Sequence, residues 1–382
     1  MPNRATTGTR SRTGCCAPKR FRRPRSRSRT TSLCSRTSTG SAADDRTSRS
    51  VAMSPTRRSF LCGAGGSLAL SLTGCSALNG NRQAAPGPAG PGGPEKNEVG
   101  MGLLASQSSA AAKIAEKDGY FAAQGLTVRM KVFASGPTAF PALLNGELDF
   151  VVTNYVSFFQ AVAQRTLAAK IIANGNAATE NSTVVMAAPD AGIAAPRDLV
   201  GKKVGIQQSG SVAELLLRAT LQDHGVDQNS VRYLPIKFTD AAAAIASKQI
   251  DAAVEIEPFL TQAARTQHLV PVLSLGAGPT ADMPLAGCIA LDSFIHDHPK
   301  TVTAMQKALD QGQAAAADRA KLVEVLPELT GVDAQTVRLL AMDHYPTTLS
   351  APDLQRAITL MQTYAGQAAG LRAETLIVPS PA

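Results

Sequence analysis

The chain is predicted to be an α/β protein of two lobes, each a mostly parallel sheet flanked by helices. Three observations carry this. Short apolar runs alternate with amphipathic helical segments from Glu98 to about Asp292. One phrase occurs twice, as "ALLNGELDFVVTNY" from Ala142 to Tyr155 and as "AIASKQIDAAVEIE" from Ala244 to Glu257. The stretch from residue 98 onward is also long enough for two sheets of about five strands, which suits its length better than one very large sheet.

The elements follow in order. "EVGMGLL" is a short apolar run, and "SSAAAKIAEKDGYF" is helical up to Gly119. "LTVRMKVF" alternates like a strand. "PTAFPALLNG" is a helix closed by Gly146, and "DFVVTN" is a buried strand. "AKIIANGN" and "STVVMAAP" add two strands. "KKVGIQQ" leads into the helix "SVAELLLRATLQDHG", which places Val212, Leu215, Leu216 and Ala219 on one face. Further strands are expected at "VRYLPI", "AAVEIE", "LVPVLSL" and "GCIALD", and the Ala-rich stretch from His298 to Gly370 reads as almost wholly helical.

The repeated phrase has a physical reading. In each copy a helix ends, a tight turn reverses the chain, and an aspartate (Asp149 or Asp251) opens a buried strand. The carboxyl end of that strand then delivers polar residues, Thr153 and Asn154 in the first copy and Glu255 and Glu257 in the second. In open α/β sheets ligands bind beyond the carboxyl ends of the strands, so two facing lobes would share a cleft. Pro258 restricts Glu257 to extended backbone and marks the end of its strand.

Three strand-to-helix junctions are rich in small polar residues: Ser106-Gln107-Ser108-Ser109, Ser135-Gly136-Pro137 and Gln207-Gln208-Ser209-Gly210-Ser211. Free N–H groups and the positive dipole end at a helix start welcome an anion. The same residues suit plain helix capping, and Ser211 with Glu214 forms the S-x-x-E pattern of a capping box. Glu255 and Glu257 suit either a cleft that receives an amine or hydroxyl, or a solvated loop.

The formal charge is +9, but residues 1–52 carry a net +11 and the remainder is mildly acidic. The folded part therefore offers no electrostatic reason to bind nucleic acid. Residues 1–52, rich in Arg, Ser and Thr, are too poor in large apolar side chains to fold. Residues 53–74 have the anatomy of a secretory signal: a charged start, an apolar stretch too short to span a bilayer, then small residues. "TRRSFL" resembles a twin-arginine export motif, and "LTGC" resembles a lipobox whose Cys75 takes the lipid. Export signals open a chain, so translation is expected to begin near Met53, with 1–52 a misplaced start. Residues 75–97, dense in Gly, Pro and Ala, read as a tether.

Of the six cysteines only Cys288 lies in the globular part, which excludes a disulfide framework and a cysteine-based metal site there. His296 and His298 form the closest histidine pair, at a solvated helix entrance ahead of Pro299. Nucleophile-elbow, phosphate-loop and zinc-protease motifs are absent from the sequence. No metal, no other cofactor and no catalytic residue is expected.

With these segments placed, the chain resembles the solute-binding lipoproteins of bacterial ABC transporters, in the branch for nitrate, sulfonates, taurine and thiamine-precursor pyrimidines. The resemblance runs from about Val99 to Ala290 and rests on "AEKDGYFAAQGLTVRM", "ALLNGELDFVVTNY", "RDLVGKKVGIQQSGSVAELLLRATLQDHGV" and "IDAAVEIEPF". It implies a type II periplasmic-binding fold with extra C-terminal helices. Lobe 1 would comprise 98–187 and 286–382 and lobe 2 would comprise 188–285, with crossings near Ala188 and Pro284. It implies ligand contacts from Ser106, Gln107, Ser108, Ser135, Gly136, Thr153, Asn154, Ser209, Gly210, Ser211, Glu255 and Glu257. It further implies a monomer tethered by lipid to the outer face of the cytoplasmic membrane. That monomer would trap a small molecule by hinge closure and deliver it to an ABC permease and its ATPase.

The chain departs from the pattern in having no Trp and few aromatics, which leaves Tyr120, Tyr155 and Phe158 for stacking on a pyrimidine. A small sulfonate or taurine-like zwitterion, held by N–H groups and a carboxylate, is compatible with the residues. Two alternatives remain at this level. One is an enzyme on the same fold, such as a desulfinase or a pyrimidine-precursor synthase, for which only Cys288 could supply the thiol. The other is a membrane-tethered sensor without a transporter.

Overall fold

The computed structural model describes residues 93–380. The expectations for 1–52, for the signal at 53–74, for Cys75 and for most of the tether lie outside the described residues. Ten strands form two five-stranded sheets. The first holds β1 (Glu98–Leu104), β2 (Thr127–Phe133), β3 (Phe150–Asn154), β4 (Ala169–Asn174) and β10 (Ala286–Leu291), in the order β2-β1-β3-β10-β4. The second holds β5 (Thr183–Ala187), β6 (Lys203–Ile206), β7 (Arg232–Pro235), β8 (Ala252–Ile256) and β9 (Val270–Ser274), in the order β7-β6-β8-β5-β9.

The two sheets have the same plan. Three strands run parallel on one side, and the fourth, β10 or β5, is antiparallel to both of its neighbours. That reversed strand is in each case the first one formed after the chain crosses from the other sheet. The first crossing corrects the expected lobe boundary: it falls between Asn174 and Thr183, not near Ala188, because Thr183–Ala187 pairs with β8 and β9. The apolar run "TVVMA" marks a buried strand but carries no signal of which sheet it joins.

The helices fill the layers. α1 (Ala110–Lys117) and α2 (Tyr120–Ala123) precede β2, α3 (Gly136–Leu144) and α4 (Tyr155–Ala163) flank β3, and α5 (Val212–Asp223) follows β6. α6 (Phe238–Ala246) and α7 (Phe259–Gln267) flank β8. The C-terminal part supplies α8 (Asp292–Asp297), α9 (Pro299–Ala315), α10 (Arg319–Thr330), α11 (Ala334–Val337) and α12 (Ala351–Ala365). Residues 338–350 are not helical, which breaks the long helical stretch read from the sequence.

Strand alternation decides the cores. Phe150 and Val152 of β3 pack with α1, α9 and α10, whereas Val151 between them packs toward α3, α4 and α12. The second of these cores continues through α12 into α5 of the other sheet, so apolar packing links the lobes on one side. Ala253 of β8 faces the opposite layer, with Ala244 and Ile245 of α6 and Ala263 of α7. Among the described residues, no helix is long and apolar enough to cross a membrane.

Candidate functional site: a cavity between the two sheets

Three parallel strands in each sheet end in a helix start, and all six of these junctions wall one cavity of about 510 Å³. From the first sheet come Ser106 to Ser108 after β1, Ser135 and Gly136 after β2, and Asn154 after β3. From the second come Gln207 and Gln208 after β6, Lys237 to Thr239 after β7, and Glu257 and Phe259 after β8. The parallel strands dictate this convergence, because their carboxyl ends all point one way.

Local chemistry positions each junction differently. Asn154 caps α4, its Oδ1 accepting from Ser157 N at 2.8 Å. Ser211 caps α5 by accepting from Glu214 N at 3.4 Å, while Glu214 Oε2 accepts from Gly210 N at 2.7 Å. Glu257 holds the start of α7, accepting from Thr261 Oγ1 at 2.8 Å and Thr261 N at 3.1 Å. At α3, Thr138 Oγ1 accepts from Ser135 N at 3.3 Å, Thr138 N donates to Ser135 O at 3.2 Å and Pro137 has no N–H, which leaves the Gly136 N–H; at α6, which has no side-chain cap, the Phe238 and Thr239 N–H groups are left. Gly136 is required where it stands: a Cβ there would meet Thr153 Oγ1 at 1.8 Å.

The sequence-predicted residues divide in three. Ser106, Gln107, Ser108, Ser135, Gly136, Asn154 and Glu257 line the cavity. Within this set Gln107 is already engaged, its Nε2 donating to Ala341 O at 2.9 Å and its Oε1 accepting from Asp343 N at 3.1 Å. Ser209, Gly210 and Ser211 line a separate depression of about 270 Å³, with Glu214, Arg218 and Tyr364. Gly210 takes part in a bridge there: Gln160 Nε2 of α4 donates to Gly210 O at 2.6 Å and to Gln367 Oε1 at 2.7 Å.

Thr153 and Glu255 are fully buried and do not line the cavity. Thr153 packs beneath the start of α3. Glu255 still belongs to β8 and pairs with Val184, so it shares the face of Ala253 and points into the layer under α6 and α7. Glu257, beyond the strand end, escapes that alternation. Both Glu255 oxygens lack a hydrogen-bond partner, and burial pushes the carboxyl up to about 8. It is therefore a neutral acid at pH 7.

Among the lining residues that sequence reasoning missed are Asn176, Lys237, Phe238, Phe259 and Asp343. Phe238 and Phe259 stack with ring centroids 5.6 Å apart and give the cavity an aromatic wall. Asp343 comes from the non-helical 338–350 segment, whose visible signal was the breaker Tyr345-Pro346 inside an apparently helical stretch. Asn176 Nδ2 donates to Asp343 Oδ2 at 2.6 Å. Burial raises the Asp343 carboxyl to about 6; the Ser182 and Asn176 side chains offset part of that, and nearby Glu257 adds to it. Asp343 retains some exposed surface, as its place on the cavity wall requires, but protein surrounds its remaining sides. Glu257 is raised as well, by burial, against hydrogen bonds from Ala341 and Thr261.

Cys288 lies in β10 and is 2% exposed, and burial pushes its thiol up, away from the reactive thiolate. Among the described residues no group of three His, Cys, Asp or Glu is placed to hold a metal ion.

The two sheets and the cavity between them have the fold of periplasmic binding proteins. The chain belongs to the NMT1/THI5-like family, whose model matches residues 107–321, more than half of its length. A Brucella abortus protein named as a binding protein is 27% identical over 204 residues, 52% of this chain. The matched region spans 60% of that relative's length. Among solved structures, the periplasmic aliphatic sulphonate binding protein SsuA from Escherichia coli aligns with a TM-score of 0.63 at 15% identity, covering 75% of this chain and 94% of that one. The periplasmic nitrate-binding protein NrtA from Synechocystis PCC 6803 aligns with a TM-score of 0.56 at 15% identity, covering 75% and 92%. These relatives and neighbours are named as binding proteins rather than enzymes.

Proposed function

We propose that the protein is the extracytoplasmic solute-binding component of an ABC importer. It captures a small polar organic solute, sulfonate- or taurine-like, without turning it over. The observation that carries this reading is the convergence of six strand-to-helix junctions, three from each sheet, on one cavity. Its volume of about 510 Å³ suits an organic molecule and is far larger than an inorganic anion needs. The Gly136 N–H at the start of α3 and the Phe238 and Thr239 N–H groups at the start of α6 would receive an anionic end. Ligand contacts would come from Ser106, Ser108, Ser135, Gly136, Asn154 and Glu257, with Thr153 and Gln107 holding the walls in place.

The reading includes hinge closure of the lobes on the solute, recognition of the closed form by a permease, and a lipid anchor at Cys75 after export. The Gln160–Gly210–Gln367 bridge and the apolar packing of α12 against α4 and α5 support a hinge on that side.

The test is a thermal-shift panel on the full chain with alkanesulfonates, taurine, nitrate, aminopyrimidines and aromatic acids. A ligand that binds only the folded state raises the melting temperature with its concentration. One organic class should do so and be recovered chemically unchanged. Conversion of a stabilising compound into product would replace the binding reading with an enzymatic one.

A further inference from the structure

The cavity is chemically polarised, and its two ends ask for different groups. Lys237 follows the edge strand β7, whereas Glu257 follows β8, two places along the same sheet. At the usual strand spacing this puts the two junctions about 10 Å apart. At the β8 end the wall is made by Glu257, Asp343 and Asn176.

The hydrogen-bonding inventory at that end is one-sided. Asn176 Nδ2 gives one of its two hydrogens to Asp343 Oδ2 at 2.6 Å, and Thr261 Oγ1 is spent on Glu257 Oε1 at 2.8 Å. The Ala341 N–H is also spent on Glu257 Oε1, at 2.8 Å. Beyond the second Asn176 Nδ2 hydrogen and the Ser182 hydroxyl beside Asp343, what remains is acceptor capacity. Asn176 is 2% exposed, lines the cavity, and has an Oδ1 without any partner. A carboxylate offers about four lone-pair positions, and those of Glu257 and Asp343 are only partly filled. Among the described residues no lysine, arginine or histidine pairs with either carboxylate. Lys237, the one cationic side chain in the lining among the described residues, is exposed and lies at the opposite junction, where solvent weakens its field. Buried acceptors without donors are costly, and a bound group with several N–H donors and a positive charge would satisfy all three at once.

We propose that the cleft selects a guest carrying a cationic, hydrogen-bond-donating nitrogen, an ammonium or amidinium, seated among Glu257, Asp343 and Asn176 Oδ1. The stacked Phe238 and Phe259 would line the path of its carbon skeleton. This rests on the cavity being the solute site, and it names the feature by which that site chooses.

Matched pairs of probes test it, each pair differing only in ammonium against hydroxyl: 2-aminoethanesulfonate against 2-hydroxyethanesulfonate, and benzylamine against benzyl alcohol. Affinities are measured by calorimetry on the full chain at pH 7.5. The ammonium member should bind at least about tenfold more tightly than its hydroxyl partner, since an unfilled charged acceptor penalises a site strongly. Asp343→Asn, which keeps an acceptor for Asn176, should shrink that preference to roughly threefold or less. Equal affinities within a pair, or preference for the hydroxyl member, overturn the cationic-nitrogen assignment but leave the binding cleft standing, since a ligand still binds. If no probe binds and the broader panel of solutes also gives no shift, the cleft reading falls with it. The wild-type comparison decides the matter even if the variant does not fold.

Discussion

The two copies of the repeated joint, α3 to β3 and α6 to β8, have the same backbone and different chemistry. In the first, Asp149 N donates to Gly100 O at 2.9 Å and Gly100 N donates back to Asp149 Oδ2 at 2.9 Å. In the second, Asp251 N donates to Lys203 O at 2.9 Å and Lys203 N donates to Asp251 Oδ2 at 2.7 Å. Each aspartate thus clasps the start of its own strand to the start of the neighbouring parallel strand. The carboxyl ends then diverge. The first copy ends in neutral Thr153 and Asn154, and the second ends in two glutamates raised by burial. A shared joint delivers side chains to the same place in both sheets, and the sequence at the far end of each strand sets the polarity of the cleft.

The largest expected consequence is at Glu255, whose counterpart in the first copy is the uncharged Thr153. Below about pH 4.5 its carboxyl is neutral in both the folded and the unfolded chain. Between 4.5 and about 8 the unfolded chain ionises and the folded one does not, so the folded state loses stability as pH rises through that window. The loss is roughly 1.4 kcal/mol per pH unit across the window, of order 5 kcal/mol in all. Other carboxyls contribute slopes of their own: Glu95 is drawn down to about 2 despite the opposing effect of burial, chiefly by hydrogen bonds from the backbone and Thr301. The informative quantity is therefore a difference. Glu255→Gln should gain stability over wild type steadily from pH 5 to pH 8 in urea titrations, and a pH-independent difference would show that Glu255 ionises normally.

Next in size is the clasp itself. Asp149 is 6% exposed and also receives Lys96 Nζ at 2.8 Å, whereas Asp251 holds only its backbone partners in a more open setting. Asp149→Ala should cost about 2–4 kcal/mol and Asp251→Ala about 1 kcal/mol, because buried charge-assisted bonds are worth more than exposed ones. Equal costs, read from urea midpoints, would mean that the two joints are energetically alike. Smaller again is Gly136→Ala. Its Cβ would displace Thr153, an overpacking cost of about 1–3 kcal/mol, and it should also weaken binding of any ligand that uses the start of α3.

Much of this comparison was legible in the sequence. The strands were readable because apolar runs alternate with helices at fixed spacing, and the paired phrase disclosed the repeated joint. The site was only partly legible. A strand hides every second residue, so Glu255 and Glu257 look equivalent in sequence although one points under α6 and α7 and the other into the cavity. Ser209 to Ser211 and Gln207 to Gln208 belong to one loop, yet the turn at Gly210, with φ of +73°, divides them between two hollows. Asn176 and Asp343 acquire meaning only by meeting each other, 167 positions apart, and no local pattern announces such a meeting.

The finest distinction between the two joints is at the turn. After α3 the reversal is made by Gly146 with φ of +78°, and after α6 it is made by Lys248 with φ of +59°. A residue with a Cβ pays roughly 1–2 kcal/mol to sit in the left-handed region, which glycine enters freely. Glycine also widens the unfolded ensemble, which returns about 0.4–1 kcal/mol of that gain. Lys248→Gly should therefore stabilise the second lobe by only about 0.5 kcal/mol. In Gly146→Ala the left-handed strain counts against the folded state and the narrower unfolded ensemble counts in its favour, for a net loss of about 0.5 kcal/mol. The opposite signs are the test. Were both substitutions destabilising in the same urea titration, the lysine would have to be contributing a contact of its own at that turn, and the two joints would differ in more than the chemistry of their strand ends.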